Sequence, residues 1–202
     1  LIEKTGLPPG VVSLVNGAKE AVDALLDHPD IRAISFVGSS PVARYIYERS
    51  AKAGKRVQCQ GGAKNPVVVM PDADMDMSLK LILDSAFDCA VQRCLAAPVA
   101  VPIGEAQKTF TPMLLEAAAA RKVGFGLEPG VEMGPVITAQ SRERIAGLVD
   151  RGVAEGGRVL VHGRSTTVKG YEKGHFVGAT VIELPQAGGE VARTGIFGPL
   201  LC

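Results

Sequence analysis

No Cys-x-x-Cys pair and no cluster of histidines occurs in this chain, so the ligand spacings of common zinc sites are missing. Its four cysteines, Cys59, Cys89, Cys94 and Cys202, do not resemble a disulfide framework. A chain of 202 residues can bury a core without such staples, so a reducing compartment is expected. An excess of one charge is lacking too. Against 22 Lys and Arg stand 21 Asp and Glu, which leaves no long-range field to gather nucleic acid or an anionic membrane surface. Apolar residues are plentiful, but charges and glycines break every run short of a membrane span. No signal peptide and no internal repeat is visible. These absences argue against a metal, a nucleic-acid partner or a membrane partner. They leave a soluble protein with a neutral partner or a small substrate.

The opening Leu1-Ile2-Glu3-Lys4 has no initiator methionine and reads as the middle of a helix, so the chain is expected to be a fragment. Beyond it, helical and extended patterns alternate. Residues 1–5 read as a helix end stopped at Gly6, residues 11–15 as a short strand after Pro8-Pro9-Gly10, and residues 18–26 as a helix closed by His28-Pro29-Asp30. Residues 31–37 form an apolar strand, Gly38-Ser39-Ser40 a tight connection, residues 41–53 an amphipathic helix and residues 56–60 another strand. This βαβαβ rhythm predicts a parallel sheet covered by helices.

After the double glycine the pattern continues. Strands are expected at 67–70, 99–103, 158–162 and 176–183, and helices at 77–93, 106–121 and 139–155, with a glycine-rich loop at 124–134 and an irregular tail before Phe197. The expected fold class is α/β, with a hinge near residues 60–66.

The helix over 77–93 would deliver Cys94 near its end or in the loop after it. A thiol attacks a carbonyl only as thiolate, which needs positive potential, oriented dipoles or a nearby base, together with access. Arg93 supplies a charge next door. Taken alone, an unpaired cysteine is more often inert core. Gly38-Ser39-Ser40 likewise supports two readings. Free N–H groups and a hydroxyl at a helix start suit a dinucleotide phosphate, whereas a serine there also serves as a plain cap.

Several motifs stand in register. Phe36-Val37-Gly38-Ser39-Ser40, Gly61-Gly62-Ala63-Lys64-Asn65, Gln92-Arg93-Cys94, Gly134-Pro135-Val136-Ile137 and Ile196-Phe197-Gly198-Pro199 resemble, in order and spacing, the aldehyde dehydrogenase superfamily. Gly62-Ala63-Lys64-Asn65, His28-Pro29-Asp30 and the segment from Gly170 to Gly178 are most similar to its CoA-acylating branch, which takes methylmalonate and malonate semialdehyde.

The resemblance implies that residues 1–62 are the C-terminal part of an NAD-binding domain and residues 63–202 the N-terminal part of a catalytic domain. It implies Cys94 as the nucleophile forming an acyl thioester, and Gly38, Ser39, Gly61 and Phe197 as contacts of NAD. CoA is the implied co-substrate and a small aldehyde the implied substrate. Relatives are expected to be homo-oligomers in the bacterial cytoplasm or the mitochondrial matrix.

The turn at Gly38 lacks a Gly-x-Gly-x-x-Gly fingerprint, in keeping with the family's own cofactor mode. Hydrolytic members carry a glutamate where this chain has Cys59, and without that base the thiol of CoA should outcompete water. Three departures weaken the match. Val91 replaces a glycine, Gly195 replaces a glutamate that holds the nicotinamide ribose, and Pro66 replaces a histidine. The tail over 186–195 is also unlike the family and reads as shortened. The chain as it stands is expected to turn over nothing, and a catalytically silent relative with a binding role is the alternative.

Overall fold

The computed structural model describes residues 2–202, and the chain divides into two units at Gly62/Ala63. Leu1, the first residue of the expected helix end, lies outside the described residues; Ile2–Thr5 form a short 3-10 turn.

In the first unit, α1 (Lys19–Asp27) leads to β1 (Ala33–Val37), α2 (Ser40–Lys52) and β2 (Arg56–Gln60). Strands β1 and β2 pair in parallel, Ala33 opposite Arg56 and Val37 opposite Gln60, with α2 as the crossover. Leu26, Ala43 and Ile46 are buried on the facing sides of the helices. Polar contacts tie the helices together outside this seam: Arg49 Nε donates to Asp27 at 2.9 Å and the Tyr45 hydroxyl to Asp23 at 2.7 Å. The strand expected over residues 11–15 does not form. All five residues are exposed and none joins a ladder. A valine-rich segment is a strand only when a neighbour takes up its backbone groups.

The second unit starts with another βαβ step. β3 (Pro66–Val69) and β4 (Val99–Pro102) are parallel, Pro66 opposite Val99, and α3 (Met75–Phe87) lies between them in sequence. Pro66 is tolerated because it is the first residue of its strand. Then come α4 (Ala106–Ala120), α5 (Ala139–Ala154), β5 (Arg158–Val161), β6 (Thr180–Glu183), α6 (Glu190–Arg193) and β7 (Leu200–Leu201). β6 pairs antiparallel with β5 and parallel with β7, and Cys202 exchanges backbone bonds with Pro98 and Ala100 at 3.0 and 2.8 Å, bringing the end of β7 to β4. Phe87, Phe110, Ile145, Val149, Ile182 and Leu200 are among the side chains closed off between these strands and helices.

Two element lengths differ from expectation. The strand expected from Phe176 begins only at Thr180, because Gly178 N–H is taken by Gly163 and Val136 N–H by the carbonyl of His175, outside the ladder. The helix expected to reach Arg93 ends at Phe87, seven residues before Cys94. No helix among the described residues is long and apolar enough to cross a membrane.

Candidate active site

Helix α3 begins where Asp74 accepts a hydrogen bond from Met77 N–H at 2.9 Å, a side-chain cap on an otherwise unpaired donor. It ends because the backbone turns left-handed. Cys89, Ala90 and Val91 stand at φ of 53°, 49° and 58°. Such values are unfavourable for any L-residue and worst for a β-branched one. A glycine at the position of Val91 would carry no such strain. Burial holds the turn regardless: Ala90 is fully buried and Val91 is 3% exposed, both within the main core.

Leaving this turn, the chain presents Cys94 at the surface, with Leu95 projecting beside it. The inert-core reading of Cys94 is therefore excluded. Side chains fix the loop from several directions. Asn65 Nδ2 donates to the carbonyls of Cys94 and Ala96, both at 2.9 Å. Gln92 Oε1 accepts from Ile137 N–H at 2.9 Å, and Ser85 Oγ accepts from Ala97 N–H at 3.0 Å. Arg93 donates to the carbonyl of Asp84 at 2.9 Å, satisfying part of the negative C-terminal end of α3. Asp84, Ser85, Asp88, Arg93, Cys94 and Leu95 line an open recess of about 620 Å³.

Beneath the recess Arg121, 8% exposed, bridges Asp84 at 3.1 Å and also pairs with Asp88. Lys64 lies 3.8 Å from the Cys202 thiol. Burial lowers the lysine's pKa and raises the cysteine's, each opposed by the charge of the other.

Phe197 is half-exposed and held at φ 52°, its carbonyl accepting from Arg144 at 3.4 Å. Gly195 packs against the chain before β3: a Cβ there would lie 2.9 Å from the carbonyl oxygen of Ala63. A glutamate at this position would require the backbone to move.

In the first unit Ser39 is the N-cap residue of α2, but its hydroxyl makes no capping bond, and Pro41 occupies the first turn. The routine-cap reading of Ser39 is not what forms. Ser39 is exposed and stands beside the first-turn N–H groups, which have no helical acceptor and lie at the positive end of the helix dipole. Ser40 Oγ instead accepts from Gly62 N–H at 3.0 Å, and a Cβ on Gly61 would meet that oxygen at 2.7 Å. Gly61 is required for this close approach. Cys59 lies on β2, opposite Phe36.

Sequence reasoning singled out Cys94, Gly38, Ser39, Gly61 and Phe197, and it missed Asn65, Gln92 and Arg121. Asn65 and Gln92 were visible within motifs, but an amide gives no sign of its acceptor. Arg121 is signalled by nothing local.

The sequence profile of the aldehyde dehydrogenase family matches residues 1–202, and the chain belongs to that family. It is similar to the mitochondrial acylating methylmalonate-semialdehyde/malonate-semialdehyde dehydrogenase of Bos taurus, 46% identical over 201 residues, covering 100% of this chain and 37% of that protein. The malonate-semialdehyde dehydrogenase of Pseudomonas aeruginosa is 42% identical over 203 residues, covering 100% of this chain and 41% of its own length. A crystal structure from Sinorhizobium meliloti, assigned to methylmalonate-semialdehyde dehydrogenase and complexed with NAD, superposes with a TM-score of 0.94 at 42% identity, over 99% of this chain and 41% of that one. The chain thus spans well under half the length of these relatives.

Proposed function

We propose that this chain carries the nucleophile and part of the cofactor cradle of an NAD-dependent, CoA-acylating dehydrogenase of methylmalonate or malonate semialdehyde. The observation that carries the reading is the exposed Cys94 on a loop braced by Asn65, Gln92 and Ser85. In this reading residues 1–62 belong to the cofactor-binding domain and residues 63–202 to the catalytic domain.

In the first unit, Ser39 and the first turn of α2 offer donors to a phosphate of NAD, and Gly61 keeps the following turn free of a side chain. In the second unit, Phe197 offers a half-exposed aromatic face. Gly195 offers nothing to the ribose, so cofactor grip is weaker than in members with a carboxylate there. Losing one charge-assisted hydrogen bond costs about 1.5–3 kcal/mol. Bound NAD supplies the hydride acceptor.

Cys94 thiolate adds to the aldehyde carbon, and its backbone N–H donates to the oxygen that gains charge. Oxidation leaves an acyl group on Cys94 Sγ. Neither Cys59 nor Gln60, the two residues before Gly61-Gly62, is a carboxylate able to activate water. The thiol of CoA, with a pKa near about 8.5 against about 15.7 for water, therefore takes the acyl group. The bond from the acyl α-carbon to its carboxylate breaks, carbon dioxide leaves and that carbon takes a proton from solvent; as the Sγ–acyl bond breaks, Cys94 takes the proton of the CoA thiol, and propionyl-CoA or acetyl-CoA leaves.

Alone, the 202 residues turn over nothing. The test is a chimera in which they replace the matching segment of the bovine relative, supplied with NAD and malonate semialdehyde. Acyl-CoA should form in proportion to CoA, with a Cys94 acyl adduct seen by mass spectrometry when CoA is withheld. Free acid appearing at the same rate with and without CoA overturns the acylating reading. Absence of any Cys94 adduct favours the catalytically silent alternative.

A further inference from the structure

We infer that Asn65 is a positioning residue for Cys94. The inference rests on the reading of Cys94 as nucleophile. It concerns what holds that loop, which neither the family motif nor the relatives assign. Asn65 stands immediately before β3, and its side-chain nitrogen has two hydrogens. Both go to one short stretch of chain, to the carbonyls of Cys94 and Ala96 at 2.9 Å each.

A peptide segment with two carbonyls turned to the same donor is closed into a ring by that donor. The bend is further stabilised by Ala96 N–H bonding back to the Arg93 carbonyl at 3.2 Å. The peptide after Cys94 is thereby fixed to the root of β3, while Sγ stays free at the surface. Only a side-chain amide meets this requirement at this length. Aspartate has the same shape but presents acceptors to two carbonyl oxygens, and serine offers a single donor on a shorter arm.

The consequence falls on the nucleophile. With the carbonyl side of Cys94 tethered, thiolate and backbone N–H keep one relative orientation, as an attack with oxyanion stabilisation requires. Released, the loop samples orientations in which they do not converge.

The test uses the chain itself and needs no turnover. Asn65→Asp, Asn65→Ala and Asn65→Gln are compared with wild type by amide hydrogen exchange at Ala96 and Ala97, and by iodoacetamide alkylation of Cys94 across pH, read by peptide mapping. Cys89, also exposed, reports on general unfolding. Asn65→Asp and Asn65→Ala should speed exchange at Ala96 and Ala97 at least tenfold and displace the Cys94 alkylation profile. Cys89 should keep its profile, and Asn65→Gln, which retains both donors, should recover much of each change. Unchanged exchange and alkylation in Asn65→Asp overturn the inference, and so does an equal change at Cys89. Failure of the proposed function is distinguishable: the chimera would then form no Cys94 adduct, while these loop readouts would still respond to Asn65.

Discussion

The guanidinium of Arg121, just past the end of α4, reaches the carboxylate of Asp84 on α3 at 3.1 Å. It also pairs with Asp88, the residue at which α3 gives way to the left-handed turn. One buried cation therefore holds the foot of the loop that presents Cys94.

Arg121→Met should destabilise the chain by about 1.5–3 kcal/mol, the loss of hydrogen bonds to charged groups. The larger penalty of a broken buried pair is avoided because Asp84 and Asp88 are each 39% exposed and can be rehydrated. Urea unfolding monitored by circular dichroism gives the number; a change under about 0.5 kcal/mol, the range of a neutral surface substitution, counts against this role for Arg121.

Val91 sets strain against burial. Its left-handed backbone costs about 1–3 kcal/mol and its buried side chain returns about 1.5–3 kcal/mol. Val91→Gly removes both and should fall within about 1 kcal/mol of wild type. Val91→Ala loses most of the burial but keeps much of the strain, so it should be the less stable of the two. Thermal melts of the pair decide it, and alanine melting above glycine, the usual order, would be the contrary result.

Gly61→Ala sets a methyl against Ser40 Oγ and displaces the bond from Gly62 N–H. Overpacking of this kind costs about 1–3 kcal/mol. Adding Ser40→Gly removes the oxygen that is struck, so the double variant should be more stable than the sum of the two single changes predicts. Strict additivity in the double-mutant cycle would place the clash elsewhere.

The last prediction concerns pH. Burial holds the Lys64 amine below its ordinary value of 10.5, only partly offset by Cys202. Between the folded pKa and 10.5 the unfolded chain binds more protons than the folded one, so this group makes stability rise with pH across that window. Below the window the full cost of a charged, partly buried amine applies. Lys64→Met should therefore be more stable than wild type at neutral pH, with the advantage shrinking as pH approaches 10.5. A constant difference between the two melting curves at every pH would contradict it. Cys202, whose thiol is pushed up by burial, contributes the opposite slope above 9.0, and Lys64→Met removes the charge that opposes that shift, so the two melting curves are compared in a Cys202→Ala background.

The two βαβ steps were legible in the sequence because apolar strands, amphipathic helices and Gly or Pro punctuation are local signals. Segments 33–37, 40–52 and 56–60 carry them within a dozen residues. The segment 11–15 misled for the complementary reason: its valines have the propensity but no partner strand. The end of α3 was not legible either. Asp88-Cys89-Ala90-Val91 continues an apolar helical pattern and contains no glycine, yet it turns left-handed. What holds it there is distant in sequence, Arg121 just past the end of α4 and the burial of Ala90 and Val91 in the core.

By itself, then, the order of residues determined the family, the α/β class and the identity of the exposed thiol's motif, since these are written in spacings along one dimension. Tertiary structure alone decided that Cys94 is presented rather than buried, that Asn65 gives both its hydrogens to that loop, and that Gly195 leaves no room for a carboxylate. Each of these depends on which atom lies within about 3 Å of which, and hydrogen bonds and close packing are made between residues that the chain brings together only when it folds.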